Sequence, residues 1–81
     1  MYTYKSPVGT FWIKPDGKGN FVLGIENQEL EVHYSPWVAA DNVSIHVTGY
    51  PEWDKLGGIV SGPSDLSEWT KKNNPYSQRD H

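Results

Sequence analysis

The stretch Phe11-Trp12-Ile13-Lys14-Pro15-Asp16-Gly17-Lys18-Gly19-Asn20-Phe21-Val22-Leu23-Gly24-Ile25-Glu26-Asn27-Gln28-Glu29-Leu30-Glu31-Val32-His33-Tyr34 decides how this chain folds. Phe11 and Ile13 alternate with Trp12 and Lys14. Phe21, Leu23 and Ile25 alternate with Val22, Gly24 and Glu26, and Leu30, Val32 and Tyr34 with Glu29, Glu31 and His33. Successive side chains of a strand point to opposite faces, so period two in consecutive short runs predicts half-buried strands over about 11–14, 20–26 and 29–34.

The connections predict an antiparallel meander. Pro15-Asp16-Gly17-Lys18-Gly19 is rich in turn formers, and glycine supplies positive φ at little steric cost. Asn27-Gln28 is short enough for a two-residue hairpin, with Asn able to enter the left-handed region. That turn sets Glu26 opposite Glu29, Ile25 opposite Leu30, Leu23 opposite Val32 and Phe21 opposite Tyr34. In the first hairpin the faces match when Ile13 opposes Phe21 and Phe11 opposes Leu23. Apolar side chains then share one face, and a slip of one residue would turn them to solvent.

Outward from this stretch, Ser35-Pro36 is a helix start: Ser caps free N–H groups and Pro suits the first helical position. Pro36, Ala40, Val43 and Val47 share a helical face, and Gly49 supplies a stop, so one main helix is expected over about 36–48. Val43, Ile45 and Val47 also alternate with Ser44, His46 and Thr48 as a strand would; the start and stop signals favour the helix. Pro51 opens a further helical turn through Trp53 and Leu56, ended by Gly57-Gly58. Ile59-Val60 reads as extended, and Pro63-Ser64-Asp65 leads into a brief turn holding Leu66 and Trp69. Tyr2 and Tyr4 are placed to add a further strand. The fold class is therefore α+β: a three-stranded antiparallel sheet packed on one helix, as a single domain over residues 1–69. The polar segment 70–81 reads as a disordered tail.

Composition narrows the options. Eighty-one residues suffice for one domain, and a chain this short buries only about 60% of the surface its unfolded form exposes. There is no cysteine, which removes disulfides and cysteine-type zinc sites. Four Trp, five Tyr and two Phe supply the core instead. No secretory leader and no apolar run long enough to span a bilayer is read at the N-terminus or elsewhere, so the cytoplasm is the expected compartment, with no membrane partner.

The formal net charge is −3, and between residues 26 and 68 Lys55 alone opposes eight carboxylates. Phosphate backbones are bound by clustered Lys and Arg, so this region predicts against nucleic acid.

The spacing Ser6-Pro7-Val8-Gly9-Thr10-Phe11, Leu23-Gly24, Ser35-Pro36, Ala39-Ala40-Asp41 with Val43, Thr48-Gly49 and Trp53-Asp54 resembles a group of short bacterial and phage proteins of unknown function, over roughly residues 4–69. It implies a fold and no activity. More loosely, three strands followed by a Ser-Pro helix start and paired alanines resembles the AP2-type and integrase-arm DNA-binding domains. In those, basic and aromatic residues of the exposed sheet face enter the major groove. Here that face would carry Trp12 and Lys14, but also Glu26, Glu29, Glu31 and His33.

No catalytic constellation emerges. The serines lie in turns and caps rather than in a Gly-x-Ser-x-Gly elbow, and Gly17-Lys18-Gly19 lacks a phosphate-loop pattern. Glu31 and His33 offer two ligands where a metal needs three or four. Neither metal nor cofactor is expected, and the chain reads as a non-enzymatic, monomeric interaction module. Its candidate contact surface is the exposed sheet face: a row of Trp12, Val22 and His33 beside an acidic edge of Glu26, Glu29 and Glu31, directed at a protein partner.

Overall fold

The alternating stretch forms strands inside a larger sheet. A computed structural model describes residues 1–71. Strands β1 (Tyr2–Ser6), β2 (Gly9–Pro15), β3 (Phe21–Ile25), β4 (Gln28–His33) and β5 (Thr70–Lys71) are antiparallel and ordered β4-β3-β2-β1-β5. The expected three-strand meander is thus the larger part of a five-stranded sheet. Tyr2 and Tyr4 do enter a strand, paired with Ile13 and Phe11. β5 was not foreseen, because Thr70 and Lys71 are both polar and show no apolar alternation. The segment expected as a tail therefore begins in the sheet, and the expectation for residues 72–81 lies outside the described residues.

The first long hairpin keeps its predicted faces at a different register. Phe11 opposes Ile25 and Ile13 opposes Leu23, two residues away from the expected pairing. A shift of two preserves which side each residue faces. Glu26 explains the shift: its N–H donates to the Thr10 carbonyl at 3.0 Å, and its own carbonyl accepts from Trp12 Nε1 at 2.8 Å. These bonds extend the β2–β3 pairing to the end of β3.

The second hairpin departs further. Its turn is Glu26-Asn27 rather than Asn27-Gln28, so Ile25 opposes Gln28 and Gly24 opposes Glu29. A bulge then leaves Leu30 as an extra residue, and pairing resumes with Leu23 opposite Glu31 and Phe21 opposite His33. One extra residue reverses the faces beyond it. Glu31 and His33 consequently join the side of Leu23, while Val32 faces outward, 59% exposed, and Tyr34 is left in solvent. Leu30 still packs on the core from its bulged position.

Helix α1 spans Pro36–Ser44 and starts as predicted, with the Ser35 hydroxyl accepting from the Trp37 N–H at 3.1 Å. It ends earlier than 48. His46 takes φ 61°, the His46 N–H donates to the Val43 carbonyl, and the Val47 N–H reaches back to Asn42 at 2.8 Å. This is a Schellman termination with histidine where glycine is usual. Ile45 and Val47, which looked helical or strand-like, are exposed beyond the helix.

Helix α2 (Pro51–Asp54) is short and held from behind. The Asp54 carboxylate accepts from the Thr48 N–H, the Thr48 hydroxyl (2.8 Å) and the Gly49 N–H (2.9 Å). Ile59 and Val60 are not extended: both N–H groups donate to the Leu56 carbonyl in a continuing turn. A 3-10 turn, Leu66–Glu68, follows Asp65, whose carboxylate accepts from the Ser67 N–H at 2.8 Å.

The helical elements pack on one side of the sheet. Phe11, Ile13, Leu23 and Ile25 meet Ala39, Ala40 and Val43 of α1, together with Trp53 and Leu66. The paired alanines let the helix approach closely. Trp53 is fully buried, its indole N–H donates to the Val43 carbonyl at 3.0 Å, and its rings contact Phe11, Tyr4 and His46. A core anchored by so few large residues depends on each of them.

Candidate functional site

With every helix on one side, the opposite face of the sheet has no covering layer among the described residues. A row crosses it from β1 to β4: Thr3, Trp12, Gly24 and Glu29 are neighbours by register. Trp12 does not stand upright. Its indole lies flat across Gly24, where any Cβ would collide with the ring, and its N–H is tied to the Glu26 carbonyl. Lys14 Nζ sits 5.0 Å from the centre of the same ring, a cation–π contact. Trp12 is half-buried, so it presents an edge and part of a face rather than a free side chain.

A shallow concavity surrounds it, lined by Met1, Trp12, Lys14, Glu26, Asn27 and Glu29. The Glu26 carboxylate is turned back to accept from the Thr10 N–H. Three of the sequence-predicted residues, Trp12, Glu26 and Glu29, therefore meet here. Val22 lies on the same face in the next row, between Lys14 and Val32, and is itself only 7% exposed.

His33 and Glu31 do not belong to this surface. The bulge at Leu30 carries them to the helix side, where His33 Nε2 lies 2.9 Å from Glu31 Oε1. Asn42 of α1 brings its Nδ2 to 3.3 Å from both atoms. An amide nitrogen and a protonated Nε2 are both donors, so the consistent arrangement has the two converging on the Glu31 oxygen. The cluster ties the sheet edge to α1. No hydroxyl hydrogen-bonds His33 among the described residues, and no three His, Asp or Glu side chains gather there as a metal-ligand set. The expected Trp12–Val22–His33 row is thus not formed: Trp12 and Val22 lie in adjacent rows of the outer face, and Val32 stands beside Val22 where His33 was expected.

Sequence reasoning missed Val32, Asn27 and Asn42 as members of these two clusters. Asn42 carried no clear signal, since Asp41 and Ser44 beside it are polar as well. Val32 carried none, since only the bulge turns it outward.

A second concavity lies between the end of α1 and the loop Gly57–Gly62, lined by Ile45, His46 and Ile59 among others. His46 stacks on Trp53 with centroids 4.3 Å apart, and its Nε2 is buried with no hydrogen-bond partner. No described helix is long and apolar enough to cross a membrane.

Comparison with protein-family models, with curated protein sequences and with solved structures yields no match to this chain.

Proposed function

We propose that this protein is a small non-enzymatic interaction module, and that its uncovered sheet face, around Trp12, Glu26 and Glu29, contacts a protein partner. The observation that carries this proposal is a face that no other described element covers and that still holds a tryptophan fixed in place. Trp12 is fixed by Gly24 beneath it, by Lys14 above it and by a hydrogen bond at its N–H. A pre-ordered aromatic loses little conformational freedom on binding, and such residues dominate contact energies. Val32 and Met1 add exposed apolar surface, and Glu29 a charged rim. Carboxylates on this face oppose a phosphate backbone, which favours protein over nucleic acid as the partner.

The test compares partner recovery by the native chain, Trp12→Ala and Glu29→Lys in a pull-down, with far-UV circular dichroism to confirm folding. Recovery should fall for both variants. Unchanged recovery by folded variants would remove the proposal.

A further inference from the structure

Resting on that reading, we infer that β4 is the docking edge, and that its occupant is an extended basic peptide added as a further strand. Among the described residues β4 terminates the sheet, and alternate residues of an edge strand turn their N–H and C=O groups away from the sheet. It is six residues long and contains no proline.

Charge selects the occupant. On the outer face β4 carries Glu29 and Val32, with Glu26 in the adjoining turn. Two registers of antiparallel self-pairing with a second copy are penalised: centring on Leu30 sets Glu29 against Glu31 twice, and centring on Glu31 sets that residue against itself. Like charges directly opposite destabilise a strand pair. An incoming strand with Lys or Arg opposite Glu29 meets no such penalty. Main-chain bonds give such a complex its affinity, and the alternate side chains give it selectivity. The same carboxylates also guard the edge against aggregation, and the experiment separates guarding from docking.

The isotope-labelled full chain is titrated with a capped peptide of alternating lysine and valine. The same peptide N-methylated at its backbone amides and an alternating glutamate–valine peptide are run in parallel. Docking requires saturable amide shifts and slowed hydrogen exchange within residues 28–33, weakened by salt. Glu29→Lys, with an unchanged circular dichroism spectrum, should weaken binding roughly three- to tenfold. Equal binding of the N-methylated or the acidic peptide, shifts confined to other strands, or no binding would each overturn strand addition. If the peptide fails while Trp12→Ala still abolishes partner recovery, the edge inference falls and the sheet-face module stands.

Discussion

Gly24 is fixed by what lies on it. Its backbone φ is ordinary, so the requirement for glycine is steric: the Trp12 indole occupies the space of a Cβ. Gly24→Ala should destabilise the fold by about 1–3 kcal/mol, the usual cost of overpacking, with a change in tryptophan emission as Trp12 lifts. In urea unfolding, adding Trp12→Ala to Gly24→Ala should recover part of that loss; no recovery would show that the ring is not the obstacle. His46 poses the reverse problem, a side chain held at φ 61°. A left-handed non-glycine residue costs roughly 1 kcal/mol or more, while the stack on Trp53 returns about 0.5–1.5 kcal/mol. His46→Gly, which removes both, should therefore be nearly neutral. His46→Ala keeps the strain and loses the stack, so it should fall about 1 kcal/mol below His46→Gly in the same unfolding assay. Equal stabilities would mean that the backbone is not strained there.

At the scale of elements, β2 and β3 were legible because their core faces, Phe11 with Ile13 and Phe21 with Leu23 and Ile25, are unbroken large apolar side chains at period two. β4 was not. Glu29-Leu30-Glu31-Val32-His33-Tyr34 alternates equally well with or without an extra residue, so composition cannot signal the bulge at Leu30. The candidate surface split accordingly. Trp12, Glu26 and Glu29 precede the bulge or lie outside β4 and meet as read; Glu31 and His33 follow it and change sides. The end of α1 was illegible for a related reason, since histidine replaced the glycine that marks a Schellman stop. α2 depends on a contact that sequence periodicity does not contain. Asp54→Ala would leave the fully buried Thr48 without its acceptor, and should cost about 1–3 kcal/mol by chemical unfolding. A null result there would show water replacing the carboxylate. The 3-10 turn carries a pH signature. Hydrogen bonds from Ser67 hold the Asp65 carboxyl below its ordinary pKa, and those from Ser64 do the same for Glu68. Folded-state values below the unfolded ones mean that the stabilisation is present above the unfolded carboxylate range and fades as pH falls through the folded values. Stability should decline below about pH 4, and Asp65→Asn with Glu68→Gln should flatten that decline.

For the whole molecule, stability rests on distributing large aromatic side chains where a short chain cannot supply many aliphatic ones. Trp53 joins the most elements: its rings meet Phe11 of β2, Tyr4 of β1 and His46 beyond α1, and its N–H closes onto the α1 backbone. Trp69 leans on Tyr4 at 5.7 Å from the far side of the same cluster. Removing a fully buried tryptophan typically costs about 3–5 kcal/mol. The total stability of small domains is commonly only about 5–15 kcal/mol, so Trp53→Ala should leave little cooperative folding at physiological temperature. Trp53→Phe preserves ring packing but strands the Val43 carbonyl, at a cost of about 1–3 kcal/mol. In a domain of this size each kilocalorie lowers the midpoint by about 4–8 °C, so the phenylalanine variant should still melt cooperatively, at a clearly lower temperature. Thermal melts of the two variants separate the roles. If Trp53→Phe melts like the native chain, the hydrogen bond to Val43 is dispensable. If Trp53→Ala also retains a sharp transition, the sheet holds together through Phe11, Ile13, Leu23 and Ile25 alone, and Trp53 does not knit the helices to it.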